Sequence, residues 1–141
     1  MAMSAKTTSV LLWIVFFGFA AIAIGANWDP RLLDFGSKTG VVRLLLGVVW
    51  IGFLAYSIFS SSRESLFRTV RVMGNLYWGR QIGIDLYISV FLSIGVVYLV
   101  TGSLLATILW GLAFVPFANL AILLFVILHL DIIIGMLGPS L

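Results

Sequence analysis

The chain has 141 residues and a net charge of +3, with charged side chains at only 9% of positions against 62% hydrophobic. Soluble domains carry about 25% charged residues. This composition could not cover a water-facing surface, and the mean hydropathy of +1.22 makes lipid part of the solvent. With no cysteine, disulfides, thiolate nucleophiles, iron–sulfur ligation and cysteine-based zinc sites are excluded.

A bilayer span needs roughly 20 apolar residues, so the length leaves room for about four spans in a single all-α transmembrane helical-bundle domain. The first is expected at about residues 9–26, with Trp13 and Trp28 near its two ends as interfacial anchors. Lys6, the apolar core and the small residues Ala21, Ala23, Gly25 and Ala26 would also suit a cleavable signal peptide. A retained span is the expectation taken. Gly18, Ala21 and Gly25 would form a small-residue face for close helix packing.

Asn27 to Gly40 reads as a polar connector, with turn signals at Asp29-Pro30 and Gly36-Ser37. The second span is expected at about 41–60. Arg43 lies near its start, where it could snorkel to the head groups. Arg43, Trp50 and Ser57 recur every seven residues and so share one face. Trp50 sits near mid-membrane, where its indole N–H needs an acceptor. This face is therefore expected to point into protein.

Between the second and third spans lies the most basic loop, with Arg63, Arg68, Arg71 and Arg80. Ser61 and Glu64 have capping-box spacing. Leu66, Phe67, Val70, Met73 and Tyr77 then fall on one helical face, with Glu64, Arg68, Arg71 and Asn75 opposite. A short amphipathic helix in the head-group plane is expected. The positive-inside rule places this loop in the cytoplasm. With four passes, both termini of this integral protein, assigned to a bacterial inner membrane, would be cytoplasmic too.

From Leu86 to Leu128 there is no Lys, Arg, Asp, Glu or His. That stretch should supply a third span at about 83–109 and a fourth at about 117–137. The turn is placed at Gly111 to Asn119, which contains Pro116. An earlier turn at Thr101-Gly102-Ser103 would leave the fourth helix too long for one span.

Two constellations could carry chemistry. Asp85, Ser89, Ser93, Ser103 and Thr107 would fall within about 80° of one another on an unbroken third helix. They could form one wall of a hydrated path, with Asp85 at its cytoplasmic mouth. They could equally be interhelical glue, or bond back to their own helix carbonyls. His129 and Asp131 are ionisable groups at membrane depth, which mark functional sites by default. Two residues apart on a helix, they would project to opposite sides. Asp131 would then face protein or the cytoplasmic interface, where it would pair with Arg80 or another loop arginine, while His129 would face an inter-chain contact.

No GxSxG, HExxH, P-loop or GxGxxG stretch is present. Neither catalytic residues, nor a metal, nor a cofactor is expected, and a lone histidine could ligate haem only across a dimer. The lipid bilayer and a protein partner or second copy are the expected partners, with no nucleic acid. The expected function is a non-enzymatic accessory or assembly subunit of a larger membrane complex. The alternative is a small proton-linked transporter or channel working as a homo-oligomer; a membrane enzyme or haem carrier ranks third.

Overall fold

The structure, a computed structural model, describes residues 5–138. It is an all-α bundle. Helix α1 runs Ala5–Ala26. Its small-residue face does not pack: Gly18, Ala21 and Gly25 are exposed. Phe16, Ala20 and Ala23 are buried instead. Phe16 and Phe19 meet aromatic rings on other helices, and the two alanines are the small residues of the contact.

In the first loop, Asp29 caps a short 3-10 turn at Pro30–Leu33, its Oδ1 accepting from Arg31 N at 2.9 Å. Ser37 then caps α2, Lys38–Arg63, its Oγ accepting from Gly40 N at 3.0 Å. Both devices satisfy amides that a helix start leaves free.

The expected capping box at Ser61 does not form. Helix α2 continues through it to Arg63, and Glu64 is its C-cap. The amphipathic helix α3 follows at Leu66–Gly74, as expected. Helix α4, Tyr77–Thr101, then turns back across the bundle. Gly79 sits where any Cβ would meet the backbone of Met73, so a glycine sets the α3–α4 corner.

The two candidate turns in the long apolar stretch are not rivals, because both are used. Helix α4 stops at Gly102, whose φ of +63° is the left-handed conformation that glycine adopts freely. Ser103 caps α5, Leu104–Phe117, accepting from Ala106 N at 3.2 Å. The α4–α5 hairpin is close: a Cβ on Gly111 would touch Ile94 at 3.4 Å.

A second reversal follows at Ala118, after Pro116. Its φ of 44° and ψ of −116° resemble the first central residue of a type II′ turn, a place normally held by glycine. The reversal folds α6, Asn119–Leu128, back along α5. Phe114 and Phe125 have ring centroids 6.5 Å apart and Trp110 and Phe125 5.1 Å. Along one straight helix the nearer of these pairs in sequence would be about 16 Å apart. His129 ends α6, and α7, Leu130–Leu137, departs at 73°.

Three helices, α1, α2 and α4, are long and apolar enough to cross a membrane; α6 and α7 are together apolar enough for a fourth, but the 73° bend between them is that of a broken span or a re-entrant loop. The expected spans at 83–109 and 117–137 are thus redrawn. The additional helix, α5, has 14 residues and reaches only about 21 Å, short of a hydrocarbon core of roughly 30 Å.

Cross-bundle contacts fix the directions. Ser9 and Trp13 at the start of α1 bond Ser61 at the end of α2, at 2.6 and 3.0 Å. Trp50 and Arg43 of α2 bond the carbonyls of Leu120 and Ile127 of α6, so those two helices are also antiparallel. The start of α1 and helix α3 therefore lie at one end of the bundle, here the α3 end. Helix α7 lies at the other, beside the first loop. The expectation that both chain ends share a side rested on an even number of passes. In the described residues the start of α1 and helix α7 lie at opposite ends of the bundle.

This orientation is directly testable, since the chain has no cysteine of its own. A single cysteine at Ser62 should label from one side of the membrane. Single cysteines at Ser37 and Leu137 should label from the other. Labelling of Leu137 together with Ser62 would contradict the second reversal.

The core is an aromatic cluster. Phe16 meets Phe117 at 4.9 Å and Phe19 meets Trp110 at 5.1 Å between ring centroids. Such contacts add about 0.5–1.5 kcal/mol per pair beyond area burial. Helix α4 touches this core through Val90 and Val97, which are buried.

Candidate functional site

The most connected polar group is Arg43. Its start on α2 suggested snorkelling, yet its side chain is only 4% exposed. Three partners draw it inward. Nε donates to the Ile127 carbonyl at 3.2 Å and Nη1 to the Arg31 carbonyl at 3.0 Å. Nη2 donates to Asp131 Oδ2 at 2.8 Å. The guanidinium fork is suited to this, because its donors point in fixed and different directions. One side chain thereby ties α2, the first loop, α6 and α7 together at one end of the bundle.

Arg43 and Trp50 point into protein, as the spacing of their shared face implied, and Ser57 on that face is half-buried. Trp50 Nε1 finds its acceptor in the Leu120 carbonyl at 2.8 Å. Ser57 Oγ donates back to the Phe53 carbonyl at 2.7 Å.

His129 and Asp131 are placed differently from the expectation. Asp131 does meet an arginine, but it is Arg43 rather than Arg80. His129 is turned into its own chain. It is 7% exposed, stacked on Phe125 at 4.2 Å and edge-on to Trp110 at 6.1 Å between centroids. Its Nδ1 lies 3.0 Å from the Phe125 carbonyl. Rotation by 100° per residue cannot be carried through a break, and the helix breaks at His129 itself. Among the described residues no group of three or more metal-ligating side chains exists.

The polar stripe does not survive as one wall. Gly102 interrupts it, so Ser103 and Thr107 belong to α5. Thr107 is buried and its Oγ1 donates to the Ser103 carbonyl at 2.8 Å. Ser89 and Ser93 donate to the carbonyls of Asp85 and Ser89, at 3.2 and 2.8 Å. The hydroxyls are occupied by their own helices.

What remains of the stripe is Asp85 with Ser89, both exposed. Asp85 lies about 180° round α4 from Ile94, which touches α5. Among the described residues the ion pairs are Arg31–Asp29 and Arg43–Asp131, so the Asp85 carboxylate has none. The nearest basic residue in sequence, Arg80, leans toward the helix start, 4.8 Å over the Tyr77 ring. A shallow groove of about 390 Å³ runs past this group, lined by Tyr77, Arg80, Gln81, Ile84, Asp85 and Ile88.

In the basic loop, Arg63 lies 5.3 Å over the Phe59 ring, while Arg68 and Arg71 are exposed on α3. Nothing converges these arginines on a common point. Comparisons with family models, with curated proteins and with solved structures give no match.

Proposed function

We propose that this chain is a non-catalytic subunit of a larger membrane assembly, docking through the outward face of α4. One observation carries the reading: Asp85 is an exposed carboxylate without an ion-pair partner among the described residues, on a helix long enough to span the bilayer. Asp85 lies about two turns inside the start of α4, and an unpaired charge within a span is costly, increasingly so toward the bilayer centre. A neighbouring helix offering a cation or hydrogen-bond donors would relieve that cost, and the groove beside Asp85 gives such a side chain room. The opposite face of α4 is already committed to α5. In this reading the positive-inside rule sets the α3 end in the cytoplasm, and α7 on the far side.

A photo-crosslinking residue at Ser89, in native membranes, tests the proposal against the same residue at Ile51, an exposed position on α2. The expected result is one discrete protein adduct at Ser89 and none at Ile51. Asp85→Leu should abolish that adduct without changing helical content. Lipid labelling alone at both positions would overturn the proposal. An adduct of twice the chain's mass would replace it with self-assembly.

A further inference from the structure

The reversal at Ala118 stops the α5–α6 hairpin well short of the α3 end. Leu120 lies level with Trp50, to which it is hydrogen-bonded. Ser61 stands eleven residues further along α2, about 16 Å away. A full-length span would have filled the space between. In its place is a pocket of about 360 Å³, within the range of small-molecule sites.

The pocket is graded along its depth. Its floor is the hairpin turn itself, Pro116, Phe117 and Leu120, and its wall includes Trp13 and Phe53. Its rim, under α3, carries Ser60, Ser61, Glu64, Ser65 and Thr69. Glu64 is the one charged residue of the lining, and Thr69 Oγ1 donates to it at 3.2 Å. The arginines that could have drawn an anion stand elsewhere: Arg63 is over Phe59, and Arg68 is absent from the lining.

An apolar floor below a polar rim suits an amphiphile, oriented as lipids are. A single carboxylate among hydroxyls supplies acceptors for a cationic head that donates hydrogen bonds. We propose that this pocket seats one bilayer lipid whose head group carries a primary ammonium. Its ammonium meets Glu64, and an acyl chain occupies the space over the hairpin turn. The site is independent of the α4 face and lies on the other side of the bundle core.

Native mass spectrometry of the full chain, stripped stepwise of lipid in detergent, reads the occupancy. Ethanolamine-head and glycerol-head lipids with the same acyl chains are then added back. The wild type should retain one ethanolamine lipid in preference to the glycerol lipid. Glu64→Gln leaves the shape of an exposed site intact and should lower that preference on the order of tenfold, the loss of one charge-assisted bond. Ser57→Phe should fill the pocket and displace both lipids. Equal retention of the two head groups by the wild type would overturn the proposal. So would unchanged retention in Ser57→Phe, which would mean annular lipid only.

Discussion

Replacing Arg43 by Met should lower the free energy of unfolding by about 3 kcal/mol, measured by detergent titration followed by circular dichroism. Methionine keeps most of the stem's volume, so the loss reports the guanidinium. Two carbonyls, of Arg31 and Ile127, lose a charged donor, and Asp131 loses its counter-ion. The pair is asymmetric: the arginine side chain is 4% exposed and the aspartate 46%. After Arg43→Met, water can still reach Asp131. After Asp131→Leu, a buried cation is left without an anion. Asp131→Leu should therefore cost at least as much, although it removes only one bond. Arg43→Lys should fall between, since an ammonium lacks the fork that reaches three partners. In the double variant the two losses should not add; a coupling of about 1 kcal/mol or more is expected for groups in direct contact. Simple additivity would mean that the charges do not stabilise each other.

Gly79→Ala should be, with Gly40→Ala, among the most damaging changes of a single methyl group, costing about 2–3 kcal/mol. A Cβ on Gly79 would meet the carbonyl, carbonyl carbon and Cα of Met73. All three are backbone, so no rotamer change relieves the clash. Only a shift of α3 against α4 can. Gly83 and Gly95 of the same helix supply the control, because a Cβ there meets nothing within 4 Å. Alanine at those positions should be neutral or stabilising, by up to about 1 kcal/mol from helix propensity. Thermal unfolding of the three variants in one detergent distinguishes the cases. Equal behaviour of all three would show that the corner is not set by Gly79.

Much of this architecture is legible in the residues. The apolar runs give the membrane helices, the alternation of Phe67, Val70 and Met73 with Arg68 and Arg71 gives α3, and the spacing of Arg43, Trp50 and Ser57 gives an inward face. Each of these is periodicity within an unbroken helix. The failures share the opposite cause. Gly102 was visible as a turn, but the assumption that every helix crosses the whole bilayer argued against using it. A short helix such as α5 is stable because its backbone is satisfied internally and its ends are capped, whatever its length. His129 carries no breaking signal of its own, so its inward stacking on Phe125 could not be read from its spacing to Asp131. The pocket could not be read either, since it is the space left by a hairpin that stops early.

The clasp at Arg43 also imposes an order in time. Its counter-ion follows it by 88 positions, so the cation leaves the ribosome long before Asp131 exists. Through that interval the Arg31 carbonyl alone of its three partners has been made, and head groups and water would meet the rest of the guanidinium at the start of α2. The same side chain therefore serves two stages in succession. It is an outward anchor while α2 settles in the bilayer, and is drawn inward once the last helix has been made. Synthesis of the C-terminal segment is then the event that locks the first half of the chain, and a nascent chain released before residue 131 would keep its arginine at the surface.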